Sequence, residues 1–275
     1  MTPLELLTDV FDHLRGPWIL MSYSLWEMPG TISSLIIRGD YSTLFSFEDF
    51  SELNFGSLWA VIGPEVKKSA EPRVIPLLEG RVKQGAVTDK VVGTPVHGTV
   101  LEIGAGSGNW ADVFAKVSSR PALDNSQAPG ESDGVRQRGP ASKSITKIYG
   151  VEPNPQSCVA LRQRVKDVGL GESYHVVPVG IEHLDDPSAW DGRIAPESVD
   201  CIVCVLCLCS IPEPEKNVAL LYRLLKPGGT WYVYEHVKVS KGGLFMKLYQ
   251  RKSTIPINSE FVIHCCPLVS MLHCL

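Results

Sequence analysis

Hydrophobic and polar positions fall into two regimes along the chain. From about residue 95 onward, short apolar runs alternate with stretches of helical periodicity, the signature of an α/β fold built on a parallel sheet. Strands are predicted over residues 99–103, 145–152, 174–179, 199–207 and 230–237. The fourth, Val199-Asp200-Cys201-Ile202-Val203-Cys204-Val205-Leu206-Cys207, is apolar on both faces, as suits a central strand covered by helices on each side. After the second strand, Asn154 followed by Pro155 reads as an N-cap and first helical position. After the fourth, Ser210 and Glu213 stand at capping-box spacing before a helix that shows Val218, Leu221, Leu224 and Leu225 on one side. Lys226-Pro227-Gly228-Gly229 then stops that helix and turns into the next strand.

Residues 1–90 lack this rhythm and are rich in aromatics, among them Trp18, Tyr23, Trp26, Tyr41, Phe45, Phe47, Phe50, Phe55 and Trp59. A helix is predicted from about Pro64 to Gln84, closed by Gly85. The domain reading follows: an extension over residues 1–90 that covers the substrate, mainly helical or irregular, then an α/β domain over residues 91–275. Residues 119–144 interrupt that domain. Eleven of these 26 residues are Gly, Pro or Ser, and Leu123 and Val135 are the only large apolar ones, so the segment reads as a disordered surface insertion.

Composition narrows the function. With 275 residues, 44% hydrophobic and 20% charged, the chain is an ordinary globular one. Its net charge of −4 argues against general nucleic-acid binding, which needs a basic surface. The first ten residues carry two acids and no base, so no secretory leader is expected, and a cytoplasmic location is the simplest reading of the cysteines. Residues 16–37 hold one charge, Glu27, but Pro17, Pro29 and Gly30 interrupt them, which argues against a spanning helix. Peripheral contact with a membrane stays open. Cys201, Cys204, Cys207 and Cys209 superficially suggest a metal site; on a strand Cys204 would point away from Cys201 and Cys207, so no metal is expected.

The chemistry concentrates at Leu101-Glu102-Ile103-Gly104-Ala105-Gly106-Ser107-Gly108, a strand running into three alternate glycines before a helix near Trp110. Such a turn lets a ligand approach the backbone and offers N–H donors to an anion. A dinucleotide fingerprint would need a third glycine where Asn109 stands. Glu152 closes the second strand, 44 residues beyond Gly108; without the insertion the gap is near the spacing at which an acid accepts ribose hydroxyls.

The pattern resembles motif I of class I S-adenosylmethionine-dependent methyltransferases. The later matches are in order: Gly180-Ile181-Glu182, Ser198-Val199-Asp200-Cys201, and Arg223-Leu224-Leu225-Lys226-Pro227-Gly228-Gly229. Val205 to Ile211 with Tyr234-Glu235-His236-Val237 is similar, more narrowly, to the methyltransferase-like thiol or small-molecule methyltransferases. The resemblance implies a Rossmann-like, mostly parallel sheet with flanking helices. It implies S-adenosyl-L-methionine as cofactor, held by Glu102, Gly104, Ala105, Gly106 and Gly108, by Glu152 with Pro153, and by Ile181 with Glu182. It implies methyl transfer to a small-molecule or lipid-like acceptor, a thiol among the candidates; His236, at the end of the fifth predicted strand, is the candidate general base for a thiol or hydroxyl, against a hydrogen-bonded packing histidine. Such folds end in two further strands; past Val237 only residues 261–266 offer one, so the sheet is expected to be incomplete at that edge. Two rivals remain: a nicotinamide-dependent oxidoreductase, and a non-catalytic cofactor-binding protein of the same fold.

Overall fold

The computed structural model describes the backbone of residues 3–118 and 144–235, with side chains from Trp18 onward except Leu20. The predicted insertion up to residue 143, His236 and the 261–266 strand candidate therefore lie outside the described residues. Five strands form one parallel sheet: β3 (Gly98–Ile103), β4 (Ile145–Val151), β5 (Tyr174–Val177), β6 (Val199–Val205) and β7 (Leu225–Tyr234), in the order β5-β4-β3-β6-β7. The strand order reverses between β3 and β6. In open α/β sheets a ligand crevice forms there, outside the carboxyl ends of the strands.

Alternation along the strands divides the core. Val100, Ile148, Cys201 and Val203 face one side, where helices α3 (Phe47–Leu78), α4 (Ala111–Ser118) and α5 (Pro155–Asp167) cover them. Leu101, Ile103, Val151, Ile202 and Cys204 face the other, under α6 (Pro214–Leu224) and the loop that carries Ile181, Leu184 and Ile194. A fully buried side chain such as Phe114 or Ile202 contributes about 1.5–3 kcal/mol. The fold is thus the Rossmann-like one expected.

The first 90 residues are mainly helical, as expected, but the helix bounds differ from those predicted. They form helix α1 (Pro3–Arg38), short α2 (Tyr41–Phe45) and long α3, followed by a hairpin of β1 (Val82–Lys83) and β2 (Ala86–Val87). The α3 helix starts far ahead of Pro64. Ser46 caps it, its Oγ accepting from the Asp49 N–H at 3.3 Å, and Glu48 and Asp49 complement the positive end. Pro64, Pro72 and Pro76 sit inside the helix, which packing retains despite the lost hydrogen bonds. Val66, Ala70, Val74 and Leu78, four residues apart, form its buried stripe. Gly85 does not close a helix. With Gln84 it makes the β1–β2 turn, both at positive φ. A buried clasp joins α1 to α3: Thr31 Oγ1 donates to Asn54 Oδ1 at 3.3 Å, and Asn54 Nδ2 donates to Ser24 Oγ at 2.9 Å.

Two smaller corrections concern the far strands. The Ser210–Glu213 capping box does not form: Ser210 Oγ donates to the Cys207 carbonyl, and Glu213 precedes α6 with a left-handed backbone and no side-chain cap bond. β7 starts earlier than predicted because Leu225 pairs with Val199, and Lys226 Nζ reaches Asp200 Oδ1 at 2.9 Å.

Candidate cofactor site at the strand ends

The glycine turn leaves β3 at Ile103 and is anchored where Ala105 N–H donates to the Val151 carbonyl at 3.0 Å. Gly104, Gly106 and Gly108 all have positive φ, which side chains rarely tolerate. A Cβ on Gly104 would overlap the Cys207 side chain, and one on Gly108 would press on Leu161 and Arg164 of α5. A Cβ on Gly106 would meet nothing within 4 Å. The outer two glycines therefore seat the turn against the protein, and the middle one faces open space.

Glu152 closes the adjacent strand. Its Oε2 accepts from the Gly106 N–H at 2.8 Å, and its Oε1 from the Asn154 N–H at 2.9 Å. The two sequence signals thus meet directly. Each oxygen keeps a lone pair for a further donor. Burial pushes the Glu152 carboxyl above its ordinary range, with Glu52 of α3 adding to the shift and the two backbone donors opposing it. Asn154 caps α5 as predicted, its Oδ1 accepting from Gln156 and Ser157 at 3.0 Å each. Pro153 between them is exposed.

Glu102 is held inward, on the face covered by α3, α4 and α5. It is 3% exposed, and its Oε2 accepts from the Tyr174 hydroxyl at 2.5 Å. Tyr174 lies two strands away and reaches across Gly150, which pairs with Glu102 in the register; a Cβ on Gly150 would overlap the tyrosine ring. Burial raises the Glu102 carboxyl to about 7, against the hydrogen bond from Tyr174 and together with the Glu152 charge. Beyond β5, Ile181 is buried, whereas Glu182 is exposed and folds back over Gly180.

Two parts of the site escaped sequence reasoning. The first is α3. A Cβ on Gly56 would come 2.7 Å from Asn154 Nδ2, and one on Gly63 2.6 Å from Asn109 Nδ2. The helix therefore lies directly against the turns that follow β3 and β4. The two-turn spacing of these glycines was the available signal. The second is Glu235, next to the predicted His236. Its Oε1 accepts from the Cys207 and Leu208 N–H groups at 2.9 and 3.1 Å, tying the end of β7 to the loop after β6.

The cysteines take a different arrangement from strict alternation. Cys201 belongs to one core face, and Cys204 and Cys207 to the other. The strand ends at Val205, and Leu206 at positive φ turns the chain, so Cys207 joins Cys204. Among the described residues no group of three or more His, Cys, Asp or Glu side chains is placed to hold a metal ion. No helix among them is long and apolar enough to cross a membrane.

Residues 82–254, more than half of the chain, match a family of methyltransferase domains. The chain belongs to this methyltransferase family. Two similar curated proteins are thiol S-methyltransferases. TMT1B of Rattus norvegicus is 41% identical over 59 residues, covering 22% of this chain and 24% of the relative. TMT1A of Homo sapiens is 44% identical over 45 residues, covering 16% and 18%. The matched part thus spans a quarter or less of the length of these relatives. Among solved structures, a SAM-dependent methyltransferase from Aquifex aeolicus shares 18% identity at a TM-score of 0.34, covering 60% of this chain and 68% of that one. One from Geobacter sulfurreducens, in complex with S-adenosyl-L-homocysteine, shares 15% at 0.29, covering 48% and 39%. Scores this low settle nothing; the fold rests on the strand order above.

Proposed function

We propose that the chain is an S-adenosylmethionine-dependent methyltransferase acting on a small apolar or lipid-like acceptor, a thiol in the first instance. The observation that supports this reading is the bond from Gly106 N–H to Glu152, which joins the open glycine turn to a strand-end acid of a methyltransferase-family fold. The residues fit the cofactor: Gly106 leaves room at the turn, and the Glu152 oxygens have lone pairs for two hydroxyls. A nicotinamide dinucleotide fits less well, because Asn109 stands where the third fingerprint glycine belongs and its amide lies against α3.

In this reading Gly104 to Gly108 cradle the amino-acid end of the cofactor, Glu152 holds its ribose, and Ile181 and Glu182 flank its adenine. Glu102 acts from behind the turn, where its buried charge faces Tyr174 and Glu152 rather than solvent. When bound, S-adenosylmethionine supplies a methyl group on a sulfonium leaving group. The chain's task is then to orient the acceptor and exclude water. The α1–α3 extension, residues 1–90, serves that second task. Its α3 lies on the crevice turns, and it exposes Trp18, Trp26, Phe45 and Phe47, a surface suited to apolar acceptors or to a membrane that holds them.

Calorimetry with S-adenosylmethionine and with NAD tests the cofactor. Saturable binding of the first and not the second is expected; binding of NAD alone refutes the reading. Turnover of labelled cofactor with thiol, lipid and phenol acceptors tests the acceptor class, and binding without transfer to any of them marks a non-catalytic relative.

A further inference from the structure

One buried group at the crevice has no task in the reading so far. Glu235 follows the last residue of β7, and among the described residues its Oε1 alone is engaged, by the Cys207 and Leu208 amides and, at 3.5 Å, by the Cys207 thiol. Its Oε2 is buried and has no hydrogen-bond partner among the described residues. A buried carboxylate oxygen without a donor is costly, and a purely bracing role would need only the other oxygen. The position is specific too. Cys207 packs against Gly104, the first residue of the glycine turn, so Glu235 lies one side chain away from the turn proposed to hold the methyl donor.

Resting on the methyltransferase reading, we infer that Glu235 takes the proton from a thiol acceptor through Oε2. The step balances without a further reactant. The S–H proton passes to Oε2, and the sulfur lone pair so freed forms the bond to the methyl carbon. The electron pair of the broken carbon–sulfur bond stays on the cofactor sulfur, and the proton on Glu235 then returns to water. The two backbone donors fix the carboxyl group so that Oε2 is the oxygen left to act. Burial lifts the Glu235 carboxyl above its ordinary range, with the Cys207 and Leu208 amides and the Cys207 thiol opposing. That direction suits a base working near neutral pH. The titratable groups facing it are the Cys207 thiol, in the loop after β6, and behind it Cys204 of β6; the contact with Cys204 and burial keep Cys207 protonated.

Glu235→Gln separates the roles, because its amide oxygen accepts the same two N–H bonds but cannot take a proton. S-adenosylhomocysteine binding, read by calorimetry, is expected to be unchanged. Methyl transfer is then followed with an alkyl thiol, protonated at neutral pH, and with an acidic aryl thiol, already ionised. For the alkyl thiol kcat is expected to fall by about 100- to 10,000-fold with the rising limb of the pH profile lost. The aryl thiol, which needs no base, is expected to react at close to the unsubstituted rate. Equal losses with both thiols, or no loss with either, overturn the inference. So does a wild-type protein that binds the nucleoside yet methylates neither thiol. Failure of the wild type to bind S-adenosylhomocysteine instead defeats the methyltransferase reading itself.

Discussion

The pair Glu102 and Tyr174 gives the sharpest quantitative test of the buried electrostatics. Burial raises the Glu102 carboxyl from 4.5 to about 7 in the folded protein. Between those values the folded state binds more protons than the unfolded one, so stability falls as pH rises through that window and stays lower above it. At one pKa unit per 1.36 kcal/mol, the shift corresponds to a loss on the order of 3 kcal/mol. Glu102→Gln removes the ionisation, while its amide oxygen still accepts from the Tyr174 hydroxyl. The variant should match the wild type near pH 5 and exceed it near pH 8 by up to that amount. For a chain of this size the gain appears as a rise in Tm of roughly 6–12 °C. Urea unfolding of both proteins across pH 5–8 measures it. Glu152 and Glu235 are shifted in the same direction, so the difference between the two proteins, not the wild-type curve alone, isolates Glu102. A difference independent of pH, or one that favours the wild type as pH rises, would refute the reasoning.

Two further substitutions probe the site. Glu152→Ala is expected to weaken S-adenosylmethionine binding by about 1–3 kcal/mol, read by calorimetry, since it removes the charge-assisted bonds proposed to the ribose along with the brace to Gly106; unchanged affinity removes Glu152 from the site. Gly150→Ala should destabilise the fold by roughly 1–3 kcal/mol through overpacking against the Tyr174 ring. Unaltered urea unfolding would show that the ring does not cross the strand there.

What was legible in the sequence was what local spacing decides. Asn154 and Pro155 start a helix through bonds to the next two residues, and Glu152 follows from the length of a strand–helix–strand unit once the insertion is set aside. What stayed hidden depends on contacts made at a distance. The Ser210–Glu213 box looked sound, but Glu213 adopts a left-handed backbone ahead of Pro214, so neither side chain reaches a capping position. Strict alternation placed Cys207 with Cys201 only because the turn at Leu206 leaves no mark in composition. The α3 helix was masked by its prolines; the Val66–Leu78 stripe against the sheet outweighs their local cost. The Glu102–Tyr174 bond crosses two strand intervals. It is fixed by sheet order and by the missing Cβ of Gly150, neither of which a single segment reveals.

Three carboxyl groups, Glu102, Glu152 and Glu235, stand at the carboxyl ends of β3, β4 and β7, and burial raises all three. A protein selected only for stability would replace such groups, because each costs free energy whenever it ionises. Their partners differ in a way that fits division of labour. Glu102 is held by one hydroxyl, Glu152 by two backbone amides from separate turns, and Glu235 by two adjacent amides on one oxygen. The first can tune charge behind the turn, the second is held rigidly against the open glycine turn, and the third keeps an oxygen unbonded among the described residues. A cationic ligand entering this crevice would favour their ionised forms and offset the desolvation that now opposes them. The methyl donor proposed here is such a cation, and a neutral or anionic nucleotide is not.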